Sequence, residues 1–405
     1  MKTVKVVAFA LVAGLAMSAA AEPKYRATLT ATGYTGETTL TNFPVLVRIS
    51  PRTISDFHYS QCATNGADVS FKSAGQTLAH EIDTWNTNGE STVWVNLPTL
   101  AKDTTFVMRW GDSDVTSTTS TNATWNVDYV GVWHMGEPGS GTTCANSTSK
   151  GSKYDAKPAG TTANSKFYDG TDAPIGGART TGVKPTGNNR NDGKSYLLVD
   201  DYESDEKVGS VFTVSGWVRM SGLWPESYYP RLFSKKQQCT DLNGWEIEMS
   251  NKYDVFGAHG AEWHNLSQGP LPSLSNSWVH VAFVFSNATL RVYGNGNKVT
   301  TDHVFVNQNW AVTNTVSNCE IITAATANTV KFAIGCNPSA IQEFIYGAFD
   351  ECRLMRRVAT DDWVKAEYAT VKGADFLSYG KAKDYKPRSE AKAEAKAKAK
   401  AKAGK

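Results

Sequence analysis

Short runs in which apolar and polar side chains alternate constrain this chain most. Between Tyr25 and about Ser113 they are "FPVLVRIS", "DVSFKS", "STVWVNL" and "TTFVMRW", rich in β-branched and aromatic residues and separated by turn residues. A two-residue period sends successive side chains to opposite faces of a strand, so each run offers one apolar face that must be covered by a second sheet. The stretch from 25 to 113 therefore reads as a small all-β module. The polar, low-complexity "TSTTSTNATWN" (Thr116 to Asn126) carries no period and reads as a linker.

Strand-like runs resume at "VGVWHM", "SYLLVDD", "VFTVSGWVRM", "RLFSKK", "GWEIEMS", "SWVHVAFVFS", "TLRVYGNGNKV", "KFAIG" and "GAFDECRLMRR". The Asn295-Gly296 step predicts a tight hairpin. The Gly/Ser/Thr/Asn-rich passage from Gly136 to Gly193 is too long for an ordinary loop and is expected to wrap over its domain. One helix is expected, at "TDDWVKAEYATVKG", with Asp361 and Asp362 at its start, Trp363, Ala366 and Val371 turned inward, and Gly373 ending it. Many short strands with one terminal helix predict an all-β chain, a small β-sandwich followed by a jelly roll.

A length of 405 residues suits two domains. The opening "MKTVKVVAFALVAGLAMSAAAEP" has two lysines, an apolar run from Val6 to Met17 and small residues up to Ala21, the pattern of a cleaved signal peptide over 1–21. The expected divisions are then a module over 22–115, a linker over 116–128, a jelly roll over 129–378 and a basic tail over 379–405. The leader implies export to a periplasmic, cell-surface or extracellular location. There the cysteines at 62, 144, 239, 319, 336 and 352 are expected to form disulfides; none is spaced as a zinc pair.

The net charge of +2 conceals an asymmetry: ten Lys/Arg against three Asp/Glu from Lys381 onward leave the body from Glu22 to Gly380 at −7. An acidic body argues against nucleic-acid binding. The Lys/Ala tail is either a solubilising end or a contact for an anionic polymer or membrane surface, weakening with salt.

The segments "FTVSGWVRM" (Phe212 to Met220), "SWVHVAFVFS" (Ser277 to Ser286), "LRVYGNGNKV" (Leu290 to Val299), "FAIG" (Phe332 to Gly335) and "GAFDECRLMRRVATDDWVKAEY" (Gly347 to Tyr368) occur in this order. Together they resemble the laminin-G-like, concanavalin-A-like jelly rolls. "LTNFPVLVRIS", "DVSFKSAGQTLAHEIDTWNTNGESTVWVNLPTL" and "FVMRWG" are similar to an uncharacterised bacterial secreted module found ahead of such jelly rolls. The resemblance implies an envelope or extracellular bacterial protein and fixes no ligand.

Glu81 and Asp83 in "HEIDTWNTNGE" look like the start of the Glu-x-Asp-x-Glu or Glu-x-Asp-x-x-Glu strand of retaining glucanases. The second glutamate is missing, because Trp85 and Asn86 stand at its two possible positions. The pair is therefore expected to be polar residues on the outer face of a strand. The loop "GLWPESYYPR" gathers Trp224, Tyr228 and Tyr229, which either stack on sugar rings or cover a sheet edge; Trp263, in "FGAHGAEWHNLSQG" beside His259, Glu262 and His264, is a further glycan candidate. That loop lacks the HExxH geometry of a metal helix, and a polar loop explains it as well. A calcium site, in the manner of the resembled jelly rolls, would draw on Asp350, Asp169 and Asp172, although for Asp350 capping of backbone amides explains the residue. His280, among alternating apolar residues, is expected to be a satisfied sheet histidine.

No nucleophile elbow, phosphate loop or Cys-His signature is present. The expected function is a secreted or envelope binding or structural protein that contacts a glycan, another surface polymer or an envelope protein through the jelly roll, without catalysis. The alternative is a concanavalin-A-like glycoside hydrolase with a non-standard acid.

Overall fold

A computed structural model describes residues 22–385 apart from 113–114, 116–119, 169, 171, 183–194, 222–229, 237–242, 250–255, 260–266, 269–270, 300–302, 307–308, 312–323, 339–342 and 374. Two β-sandwiches follow one another, as the alternating runs require. In the first, strand Leu40–Ile49 pairs with Ser91–Leu100, which pairs on its other edge with His80–Thr84. A second sheet faces this one, with Tyr25–Thr30, Thr105–Trp110, Ser70–Ser73 and Gln76–Leu78 in that order. The other sandwich sets an eight-stranded sheet, centred on Gly347–Met355, Val211–Met220 and Val279–Ser286, against a six-stranded one that runs from Phe256–His259 to Lys157–Gly160. The hairpin at Asn295-Gly296 is present, both residues holding positive φ (49° and 77°) between strands Thr289–Gly294 and Asn297–Lys298.

The one long helix, Asp361–Lys372, forms where its caps predict. The Thr360 hydroxyl accepts a hydrogen bond from the Trp363 amide, two aspartates occupy the first turn, and Trp363, Ala366 and Val371 are buried. The helix lies between the sandwiches and is bonded to the first. Asp362 accepts hydrogen bonds from the Glu37 amide (3.1 Å) and from the Thr38 amide and hydroxyl (2.8 and 2.6 Å). The Leu46 amide donates to Thr370 Oγ1 at 2.9 Å, and Arg48 Nη2 to the Val371 carbonyl at 2.7 Å. Trp363 meets Phe43 edge to face, ring centroids 4.9 Å apart.

The residues after the helix return to the first module. Ser378–Tyr379 and Lys383–Asp384 both pair with Tyr25–Thr30, and Lys381 bonds Asp56 at 2.6 Å. The segment expected to start a free tail at 379 is thus structured to Tyr385, because it closes a strand edge that would otherwise stay unpaired. The remaining basic residues, like residues 1–21 read as a leader, lie outside the described residues. One apolar cluster consequently joins first-module residues such as Val45, Val93 and Trp94 to Trp217, Ala282, Val284 and Tyr293 on the outer face of the jelly-roll sheet.

The disulfide expectation is corrected for the four described cysteines. Cys62, Cys144, Cys336 and Cys352 are free, the last three fully buried and packed as small apolar side chains. Cys239 and Cys319 lie outside the described residues. Among the described residues no helix is long and apolar enough to cross a membrane.

His280 is the expected sheet histidine: it is buried and its Nε2 lies 3.3 Å from Glu367 Oε1. Glu367, on the inward face of the helix, also accepts from Ser215 Oγ at 2.6 Å and lies 3.7 Å from Arg353 Nη1. Burial would raise its pKa, but the bond to His280 and the charge of Arg353 outweigh it and bring the value down to about 2. A depressed carboxylate stabilises the fold above its unfolded pKa and stops doing so as pH falls through the folded value. Glu367 should therefore contribute about 3 kcal/mol near neutrality and progressively less from pH 4.5 to 2. Urea unfolding of wild type and Glu367→Gln should show a gap at pH 6 that narrows below pH 4; a gap independent of pH would contradict the assignment.

Candidate functional site

The site forms where the two sandwiches meet, and irregularities in two strands build it. Along Gly347–Met355, one edge pairs first with Ala178–Thr181, ending at Phe349 opposite Arg179, and then with Tyr129–Trp133, starting at Cys352 opposite Trp133. Asp350 and Glu351 fall in the gap. On the other edge the register shifts between Ser215 and Trp217, leaving Glu351 in a bulge with a φ of 48°. A bulge re-aims a side chain, and a left-handed non-glycine residue is held only where its surroundings over-determine it. Gly216 opposite gives the bulge its room: a Cβ there would stand 3.0 Å from Cys352 Sγ.

His134 follows Trp133 directly and enters the gap, with a second left-handed residue, Met135 (φ 62°), turning the chain away. From the first module, His80–Thr84 contributes Glu81, opposite Trp94, and Asp83, which sits at a register shift of its own between Ile82 and Thr84. Both carboxylates lie on the outer face of the strand as expected, half-buried, but that face turns to the junction and its cleft and not to bulk solvent. The second module covers that face of the strand.

His134 Nδ1 lies 2.7 Å from Glu351 Oε1 and its Nε2 3.4 Å from Glu81 Oε2. Glu81 also accepts from the indole N–H of Trp125. Asp83 Oδ2 accepts from the hydroxyls of Thr92 (2.7 Å) and Thr84 (3.1 Å). Asp350 Oδ2 accepts from the Ile175 amide at 3.1 Å, the backbone-capping role expected for it, while its Oδ1 is buried without a partner. Arg353, fully buried, donates Nη2 to Glu351 Oε2 at 2.8 Å, and its guanidinium lies over the rings of Trp94 (4.5 Å) and Trp125 (5.1 Å). The segment read as a linker is part of this wall, since Trp125 follows a short 3-10 turn at Asn122–Thr124 and is buried.

The electrostatics follow from four carboxyl groups around two cations. Burial would lower the His134 pKa, but Glu351 and Glu81 hold it well above the ordinary histidine range. Burial would raise Glu81; the charge of His134, with hydrogen bonds from His134, Trp125 and Ser147, holds it low. Asp83 is raised by burial, which the His134 charge and the threonine hydroxyls only partly offset. Asp350 is pushed well up by burial and by Glu351. Above the cluster opens a cleft of about 310 Å³ lined by residues of both modules, among them Glu81, Asp83 and Thr84 on one side and His134, Pro138 and Ile175 on the other.

The metal-capable group among the described residues is Asp83, His134 and Glu351, whose ligand atoms all lie within 4.8 Å of one another. It differs from the calcium set expected from sequence. Asp350 adjoins this group as a buried neighbour. Asp172 is exposed elsewhere, bonded by the Tyr168 hydroxyl at 2.6 Å. Asp169 and the glycan candidates Trp224, Tyr228, Tyr229 and Trp263 lie outside the described residues.

The family comparisons agree with this architecture. Residues 191–365 match the model of the concanavalin A-like lectin/glucanases superfamily, Laminin_G_3, and residues 65–131 that of a domain of unknown function, DUF2341. The chain joins a DUF2341 module to a laminin-G-like jelly roll. No curated protein matches it.

Among solved structures it is similar to domain 4 of AbnA, a GH43 extracellular arabinanase from Geobacillus stearothermophilus solved with arabinotriose, at 20% identity over 52% of this chain and 82% of that one, TM-score 0.31. It is similar also to the binding domain of botulinum neurotoxin serotype D/C (11% identity, 61% of this chain and 53% of that one, TM-score 0.37). A third likeness is to Trypanosoma rangeli sialidase with the inhibitor DANA (12%, 72% and 42%, TM-score 0.37). The chain thus spans about half or less of the toxin domain and the sialidase. None of these likenesses bears on ligand or activity here.

His134 and Glu351 were missed in the sequence because neither stands in a motif. The only available signal was that "WHM" and "DEC" place charge inside otherwise apolar strands of the jelly roll. Because carboxylates outnumber cations in the cluster, Asp83→Asn should raise the unfolding free energy of chelator-treated protein by about 1 kcal/mol. His134→Gln, which removes the cation shared by Glu81 and Glu351, should lower it by about 3 kcal/mol. Guanidinium titrations of both variants check this; destabilisation by Asp83→Asn in chelator would contradict the charge surplus.

Proposed function

We propose that this is an exported binding protein that holds a carbohydrate in the cleft between its DUF2341 module and its jelly roll and performs no chemistry on it. The observation that carries the reading is the cleft itself, with Glu81 and Asp83 from one module facing Pro138 and Ile175 from the other. Carboxylates accept hydrogen bonds from sugar hydroxyls, and apolar side chains such as proline and isoleucine suit the C–H faces of the ring. Ligand sites favour such domain junctions. The match of the jelly roll to the lectin/glucanase superfamily supports the same ligand class. The apolar run of the leader-like start, Val6 to Met17 behind two lysines, supports export.

A binding role without hydrolysis is supported by how the carboxylates are engaged. A glycosidase holds an acid and a second carboxylate on either side of the scissile bond, roughly 5 Å or more apart with the bond between them. Here Glu81 and Glu351 bond the two nitrogens of the same imidazole, and Glu351 is further bonded by Arg353. Neither is placed to hand a proton to a bound sugar.

The full chain should bind at least one member of a panel of neutral and acidic oligosaccharides, measured by calorimetry and assayed in parallel for reducing ends. Pro138→Trp, which narrows the cleft while leaving each of its carboxylate residues unsubstituted, should weaken that binding tenfold or more. An empty panel, or binding undiminished in Pro138→Trp, would remove the cleft from the proposal. Release of reducing sugar that stops in Glu81→Gln would replace the binding role with a hydrolase.

A further inference from the structure

Asp83, His134 and Glu351 come from three separate stretches of the chain, and two of them lie at strand irregularities. Their ligand atoms nevertheless converge within 4.8 Å of one another. One imidazole with two carboxylates is a donor set for a first-row divalent cation. Zinc and manganese accept such mixed nitrogen and oxygen ligands, whereas calcium prefers an all-oxygen shell of six to eight. We propose that these three side chains bind one divalent cation of the zinc class at the module junction, leaving an open coordination position toward the cleft.

Independent observations point the same way. Asp350, beside Glu351, is fully buried and has an unpartnered Oδ1. A buried carboxyl oxygen left without a partner is costly, and a cation held by the adjoining Glu351 would offset that cost. The surroundings are already arranged as metal ligands require. Glu81 stands at Nε2 of His134, the carboxylate–histidine pairing that orients a ligand imidazole, while the 2.7 Å hydrogen bond between Nδ1 and Glu351 is the contact a cation would replace by ligating both atoms. Arg353 fixes the other oxygen of Glu351, and Thr92 and Thr84 fix Asp83. The cleft of about 310 Å³ opens directly on Asp83 and His134 and leaves room for a ligand oxygen on the ion. The surplus of carboxylates over cations is a stability cost that a bound cation would offset.

The metal step stands without the carbohydrate reading; only the use of the open position by a sugar oxygen rests on it. The test is therefore run without sugar. Chelator-stripped full-length protein is titrated with zinc, manganese, calcium and magnesium by calorimetry, and bound metal is measured after dialysis. One zinc or manganese per chain is expected, with calcium and magnesium at least tenfold weaker. Asp83→Asn should weaken zinc binding tenfold or more while folding at least as well as wild type, so its loss reads the ligand and not misfolding. Added zinc should raise the thermal midpoint of wild type and leave that of Asp83→Asn unchanged.

Absence of stoichiometric binding, binding unaffected by Asp83→Asn, or preference for calcium would each overturn the proposal. Repeating the oligosaccharide titration in chelator separates the two readings. Sugar binding retained without metal leaves the cleft reading standing alone. Metal binding with no sugar bound leaves the cation site alone.

Discussion

Arg353 holds the molecule's two halves in register. A fully buried guanidinium is tolerable only when its charge is matched and its faces are covered. Here one carboxylate comes from its own strand (Glu351), another from the helix (Glu367), and two indoles, Trp94 and Trp125, come from the first module and the connecting segment. Breaking such an arrangement on one side strands a charge in a low-dielectric interior, at a cost of several kcal/mol. The relative placement of the sandwiches is thereby tied to a few directional contacts, where apolar burial alone would tolerate sliding.

The helix adds the second fixation. Its inward face carries Glu367 to the jelly-roll sheet, while its ends and flank hold the first module through Asp362, Thr370 and the Val371 carbonyl. The chain then re-enters the first module at Tyr379, whose hydroxyl accepts from the Arg48 amide at 2.9 Å. With one edge of the first module's sheet closed by a distant part of the sequence, the two sandwiches are coupled in sequence as well as in space. A rigid junction is what allows carboxylates on one module and a histidine on the other to keep fixed separations.

Much of the architecture was legible in the chain. Period-two runs, the Asn295-Gly296 turn and the Thr360-capped helix are local signals, and each formed where its residues demanded. Glu81 and Asp83 show the limit of that reading. Alternation placed them on the face away from the module's own core, and this is correct. It gave no sign that another sandwich covers that face, because the covering residues lie some fifty and some 270 positions away. The segment from 379 to 385 was misjudged for a related reason: its lysines suit a solvated tail, and its pairing depends on an open edge at Tyr25–Thr30.

By itself the sequence determined two all-β modules of recognisable kind, a leader-like start, an acidic body and a helix near the C-terminus, all carried by patterns within a few residues of one another. Only the tertiary structure decided the candidate site. Bulges at Asp83 and Glu351 are invisible to a two-residue period, and the gap between the strands Ala178–Thr181 and Tyr129–Trp133 exists only once three strands are in register. The charges of that site come from three distant stretches, so their surplus appears only when the fold removes them together from water.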